Sequence, residues 1–337
     1  MKKLPILYLL LLCSSPSLAI ETKPIIAVYP VWKHSEQSIK SLPWTRFSHL
    51  AITGVYPKKD GSLQTENADI FMQSLVTAAH ANGKKVILSI GGAGSASAGL
   101  LKITNSPATL SLFVKNLAAY VKQYSIDGID IDWEYWTYQS ELNRGGQDPV
   151  ESQQLVDLIK LLRQQFGKPF ILTVDIAPGD WLGGQYRVEL QDHVDFVNLM
   201  AFDFTGAWKT SKVGYHSDLS TFNKALEYVL NRGFKAEKVI VGLPAYGIEF
   251  VEGKNTQVHK VDFKDIVKTL DGNSKKIAQS KFGNVFFESG ASIAIKCKLV
   301  NKHKMAGVFI FTVLSDHDSD QYSLLAACNK EILPKHE

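Results

Sequence analysis

Eight short apolar runs rich in β-branched residues recur along the chain, at 25–29, 49–55, 86–90, 128–132, 170–174, 196–200, 239–243 and 307–311. Helical patterns lie between most of them. One covers 68–83 and ends at Gly83, and another covers 106–125 and opens on Ser106-Pro107. Two more, over 151–167 and 220–233, each close on a glycine. Strands alternating with helices predict parallel βαβ units, and eight of them suit an α/β fold of the (β/α)8 TIM-barrel type. A doubly wound open sheet competes, supported by the glycine-rich GGAGSASAG over 91–99 after the third run. That stretch is not G-x-G-x-x-G and no P-loop lysine follows it, so it reads as a tight strand-to-loop turn at the barrel mouth. The longest interval, Gly247 to Lys304, holds FKDIVKTL (263–270), a strand-like NVFFES (284–289) and a helix over 291–303. It predicts a small α+β insertion before the last strand.

The N-terminus follows a different logic. Lys2 and Lys3 precede an apolar run over 4–12, and small residues then lead to Ser17-Leu18-Ala19. This is the charged, apolar, small-residue order of a secretory signal peptide. The run is far short of the roughly 20 residues that span a bilayer. Leu10, Leu11 and Leu12 also make a poor lipid-processing site before Cys13. Cleavage near Ala19 is expected, leaving 20–337 as one exported domain, extracellular or periplasmic, without stable membrane insertion. The leader takes two lysines and no acids with it, so a net charge of +4 becomes +2. So small a charge gives no electrostatic footprint for nucleic acid. Cys297 and Cys328 remain, and either pair in an oxidising compartment or stay as buried free thiols. Two cysteines without supporting histidines make no zinc site. Nothing in the sequence signals oligomerisation, and a monomer is expected.

DGIDIDWEYW, residues 127–136, places Asp127, Asp130, Asp132 and Glu134 within eight positions. Strand side chains alternate between faces, with i and i+2 about 6.6 Å apart. Asp130, Asp132 and Glu134 therefore share one face, and Ile129, Ile131 and Trp133 the other. In a barrel the acids would climb the interior toward the C-terminal mouth, where barrel enzymes carry their active sites. Three neighbouring carboxyls cannot all ionise cheaply, so at least one keeps its proton near neutral pH and can serve as a general acid. A calcium or magnesium cage also uses carboxylates, but calcium loops space ligands through Gly and Asn in irregular backbone. The flanking isoleucines speak against solvated surface acids. There is no H-E-x-x-H and no G-x-S-x-G, and SDHDSD (315–320) reads as a turn and helix cap.

D-x-x-D-x-D-x-E as it stands here resembles the signature of family 18 glycoside hydrolases, as found in chitinases. SIGG (89–92), MAFDF (200–204), GLPAYG (242–247) and GVFIF (307–311) are similar to that family's third-, sixth-, seventh- and eighth-strand motifs. The resemblance runs from Ile25 to Asp318. It implies retaining endo-hydrolysis of β-1,4-linked N-acetylglucosamine, in chitin or chitooligosaccharides, with the substrate's own 2-acetamido group as nucleophile. No metal or cofactor is implied. Glu134 would be the acid and then the base, and Asp132 would hold the acetamido N–H. Asp130 would share a proton with Asp132, and Asp127 would anchor the motif's backbone. Asp203, Met200, Tyr29 and Tyr246 carry over as sugar contacts. Met200 could equally fill the barrel, and the two tyrosines could be core residues with satisfied hydroxyls. Trp136, Tyr138, Trp181 and Trp208 follow expected strands, where loops line a barrel mouth, and Trp136, Trp181 and Trp208 are nominated to stack on sugars.

Four departures from the family pattern bear on activity. Phe202 stands where a tyrosine hydroxyl would position the acetamido oxygen, a hydrogen bond worth about 1.5–3 kcal/mol to a charged group. Phe311 stands where a tryptophan would floor the sugar. Ala93 and Gly54 replace two further aromatics. A cleft with fewer aromatic platforms suits soluble oligosaccharides or the chitobiose core of N-glycans. Two alternatives follow: an endo-β-N-acetylglucosaminidase acting on N-glycans, and a non-catalytic sugar-binding protein on the same fold.

Overall fold

The computed structural model describes residues 23–137, 150–179 and 183–333. β1 (Ile25–Pro30) pairs in parallel with β2 (His49–Pro57), which folds back on the two-residue β3 (Leu63–Gln64) and pairs in parallel with β4 (Lys85–Gly91). β5 (Gly128–Asp132), β6 (Ile171–Ile176), β7 (Phe196–Leu199) and β8 (Val239–Pro244) extend the parallel sheet. An antiparallel sheet is then inserted, made of β9 (Tyr246–Phe250), β10 (Val258–Asp262), β11 (Lys281–Phe282) and β12 (Val285–Phe286). β13 (Gly307–Phe311) pairs with both β8 and β1 and closes the ring. The result is the expected closed eight-stranded (β/α)8 barrel with an α+β insertion before its last strand.

The helices form where local chemistry favours them. Ser106 caps the helix Pro107–Tyr124 by accepting from the Thr109 N–H, Pro107 occupies its first turn, and Ser125 ends it in the left-handed region. Its buried face, Phe113, Val114, Leu117, Tyr120, Val121 and Tyr124, repeats at helical spacing against the barrel wall. Asp218 caps Leu219–Asn231 in the same way. The pattern over 68–83 divides into Glu66–Asp69 and Met72–Ala81. Non-helical Phe71 between them lies buried and stacks on His34 with ring centroids 3.6 Å apart. In the insertion, Phe263–Thr269 and Gly290–Lys302 are helical as expected, while the strand expected over 284–289 is only the two residues of β12.

Strand alternation sorts the core into two layers. Ile25, Ala27 and Tyr29 of β1 pack outward against the helices, whereas Ile26 and Val28 face a smaller interior cluster with Ala51, Ile87, Ile240 and Phe309. That interior cluster fills the barrel below a cleft at the C-terminal strand ends.

Candidate active site

A cleft of about 1090 Å³ opens at the C-terminal mouth, and Asp130, Asp132 and Glu134 line it. Ile129, Ile131 and Trp133 are fully buried on the opposite face and lock β5 against the helices. The Glu134 backbone is held from both sides. Its N–H donates to Ser97 Oγ at 2.6 Å, and its carbonyl accepts from Thr137 Oγ1 at 2.7 Å. Ser97 Oγ in turn donates to the Gly92 carbonyl at 2.7 Å, and Thr137 Oγ1 accepts from the Gly94 N–H at 2.7 Å. Only 91–94 of the glycine-rich stretch form the expected turn at the mouth; 95–99 already belong to the helix Ser95–Thr104, for which the sequence pattern had no signal.

The charges are arranged unequally. Asp130 is buried and accepts from Thr173 (2.6 Å) and Asn198 (3.0 Å) on Oδ1 and from Ser89 (2.8 Å) on Oδ2. Burial pushes its carboxyl up, and these donors work against that. Asp132 is pushed well up by burial and by the neighbouring carboxyls of Glu134, Asp175 and Asp130, and its Oδ1 is buried with no hydrogen-bond partner among the described residues. Burial raises Glu134 to about 7, Lys260 pulls it down and Asp203 pushes it up. A carboxyl so placed carries its proton in weakly acidic solution.

Asp203 lines the cleft, accepting from Tyr246 Oη (2.6 Å) and Lys260 Nζ (2.8 Å), with His216 Nδ1 at 3.3 Å. Burial opposes its charge, but His216 and Lys260 together hold it far below the usual carboxylate range. Met200, Phe202, Phe311, Trp136 and Trp208 also line the cleft. Phe202 and Phe311 lie with ring centroids 5.8 Å apart.

Three expected site residues sit elsewhere. Asp127 lies at the opposite, N-terminal end of β5, where its carboxylate accepts from the Val86 N–H (2.9 Å), Lys85 (2.8 Å) and His80 (2.8 Å). Burial disfavours its charge, and these donors more than offset that. Its place is that of a strand-to-strand tie, away from the cleft. Tyr29 is fully buried on the outward face of β1, its hydroxyl 2.6 Å from His34 Nδ1, because alternation turns Ile26 and Val28 inward instead. It is a core residue. Tyr246 belongs to β9 of the insertion, is 4% exposed and commits its hydroxyl to Asp203, so it stands behind the wall. Trp181, Tyr138 and residues 1–19 lie outside the described residues.

The structure adds wall residues that the sequence reading missed. Trp32, just past β1 and 56% exposed, and Tyr56 near the end of β2 both line the cleft. Gly54 sits at a register shift between Ile52 and Val55, at φ +113°, and a Cβ there would meet Val31 Cγ2 at 2.2 Å. No larger residue fits at 54, and the second strand offers its aromatic at 56. Asp175 on β6 and Lys260 on β10 complete the charged set. Asp175 was within reach, because the alternation applied to β5 also places an acid two residues beyond Thr173 on the inward face. Lys260 carries no local signal.

The profile of Glycosyl hydrolases family 18 matches residues 25–316. The chain belongs to this family. "Probable chitinase 2" of Drosophila melanogaster is 27% identical over 278 residues, 69% of this chain and 56% of its own length. The chain thus spans little more than half of that relative. Among solved structures, a chitinase from Bacteroides thetaiotaomicron superposes with a TM-score of 0.77 at 22% identity, covering 94% of this chain and 99% of the other. A family 18 chitinase from Cycas revoluta in complex with (GlcNAc)3 gives 0.75 at 19% identity, over 91% and 99%.

Proposed function

We propose that this family 18 protein is an exported, retaining endo-glycosidase that hydrolyses β-1,4-linked N-acetylglucosamine by substrate-assisted catalysis. The observation that carries the reading is the placement of Glu134, whose proton affinity burial raises to about 7, in the cleft that Asp132 also lines, with Asp132 Oδ1 unpartnered among the described residues. Glu134 protonates the leaving glycosidic oxygen while the 2-acetamido carbonyl oxygen attacks the anomeric carbon, forming an oxazolinium ion. Asp132 Oδ1 accepts the acetamido N–H and offsets the positive charge that develops there. Glu134, now ionised, takes a proton from the water that opens the ring. The (GlcNAc)3 complex of the Cycas relative supports N-acetylglucosamine oligosaccharides as the ligand class, and the leader-like residues 1–19 support export.

The test is to incubate the purified protein and its Glu134→Gln variant with a chitooligosaccharide series and a high-mannose glycoprotein, reading products by mass spectrometry. Wild type is expected to shorten the oligosaccharides, and the variant to lose about 10²–10⁴-fold in rate. Release of glycans alone would reassign the substrate to N-glycans. Binding without cleavage would make the protein a lectin and remove the role given to Glu134.

A further inference from the structure

We propose that Asp175 is a positioning residue of this site, whose un-ionised carboxyl donates a hydrogen bond to Asp130 and so leaves Asp132 free to accept from the ligand. The inference rests on the functional reading above and assigns the proton of Asp130 to a partner other than Asp132. Asp175 lies directly across from Asn198 in the β6–β7 register, and Thr173, two residues earlier, lies across from Asp130. Its side chain lines the cleft within reach of Asp130 and Asn198.

Two carboxyls in contact inside a barrel do not both ionise cheaply. Which one keeps the charge depends on their other partners. A carboxylate accepts about four hydrogen bonds, and Asp130 already receives three, from Thr173, Asn198 and Ser89. Thr173 and Ser89 lie across from it on the neighbouring strands, and Asn198 one strand further, all held by the barrel register. Asp130 is therefore built to hold the negative charge, and Asp175 to hold the proton and supply the fourth donor. Burial and the nearby Asp130 charge both push Asp175 well above the ordinary carboxylate range. The consequence falls on Asp132. With Asp130 engaged by four donors, no proton need be shared between Asp130 and Asp132, and the Asp132 Oδ1 stays unpartnered among the described residues. Among the described residues, the titratable groups of this neighbourhood include Asp130, Asp132, Glu134 and Tyr135 along the β5 motif, Tyr186 beyond β6, Asp203 beyond β7, Tyr246 on β9 and Lys260 from β10.

Asp175→Asn and Asp175→Ala test the proposal by two readouts. The first needs no activity: the infrared band of un-ionised carboxyl groups at pH 7 without substrate. Wild type is expected to show a component that both variants lose, and an undiminished band in Asp175→Asn would overturn the proposal. The second is the pH profile of kcat/KM on a chitooligosaccharide. Asp175→Asn keeps an N–H to donate and is expected to stay within about threefold of wild type, whereas Asp175→Ala falls about tenfold, the loss of one donor to a charged group. The alkaline limb, set by Glu134, should stay in place in both variants. A limb moved to lower pH would mean that a negative charge had been removed beside Glu134, and equal losses in the two variants would mean that donation is irrelevant; either overturns the proposal. If wild type cleaves nothing, the glycosidase reading fails while the infrared result still decides where the proton sits.

Discussion

At Glu134 burial and the Asp203 charge favour the neutral acid and the Lys260 ammonium favours the carboxylate, leaving a balance at about 7. A raised carboxyl of this kind is protonated below that value, so kcat/KM is expected to fall as pH rises through about 7. Lys260→Met removes the influence that lowers Glu134 and should move the alkaline limb to higher pH, by up to about one unit. A pH–rate profile decides this, and a limb that stays or moves to lower pH would break the assigned link between Lys260 and Glu134. The β5 carboxyls were legible because alternation is a local rule, and Ile129, Ile131 and Trp133 had to face the helices. Tyr29 was misplaced because a carried-over contact ignored that rule on β1, where parity turns it into the helix layer and Trp32 reaches the cleft from the following turn.

Among the elements, the link from β4 into the helix Ser95–Thr104 does most to place the acid. Gly91 has φ +118°, and a Cβ there would meet the Asp132 carbonyl oxygen at 2.1 Å. The Gly92 N–H bonds that same carbonyl at 2.8 Å. Close approach of two backbones and a backbone angle unfavourable to other residues both demand glycine. Gly91→Ala is expected to destabilise the protein by roughly 2–4 kcal/mol, from strain and overpacking together. Chemical denaturation measures it, and a cost within error of zero would show that β4 and β5 can part without loss. The glycine run announced a turn at the mouth. The helix after it, whose Ser97 holds Glu134, had no such signal, since SASAGLLKIT carries two small serines and a glycine and its pattern is weak.

Across the whole molecule, a buried ion pair within the insertion reaches the barrel through Ser217 and Phe222. Lys296, 1% exposed, reaches Glu288 Oε1 at 2.7 Å and Ser217 Oγ at 2.8 Å, with its ammonium 5.0 Å from the centre of the Phe222 ring. Lys296→Met would strand the Glu288 charge in the interior, at an expected cost of about 3–5 kcal/mol. Changing Glu288 to leucine in the same chain should recover much of that loss, because replacing both partners leaves no unpaired charge. Urea unfolding of the two variants checks both outcomes, and a single variant as stable as wild type would mean that Glu288 finds water. Cys297 and Cys328, on the two last helices, are free and buried. Among the described residues no helix is long and apolar enough to cross a membrane.

What could be read from the chain alone was whatever repeats at short range: eight strands, the capped helices between them, the inward row of acids on β5, and the cap formed by Asp316, whose carboxylate accepts from the Leu324 and Leu325 N–H groups. Periods of two and 3.6 residues, with capping and turn chemistry, are properties of neighbouring residues, so they survive in one dimension. The rest came from closing the barrel. Closure brings Ser89, Thr173 and Asn198 from three strands around Asp130, sets Asp175 beside it, and leans β10 of the insertion over the mouth so that Lys260 meets Asp203 at 2.8 Å. These contacts join residues between 41 and 68 positions apart. The proton affinities of the site depend on that packing, because burial and neighbouring charge exist only once distant strands meet.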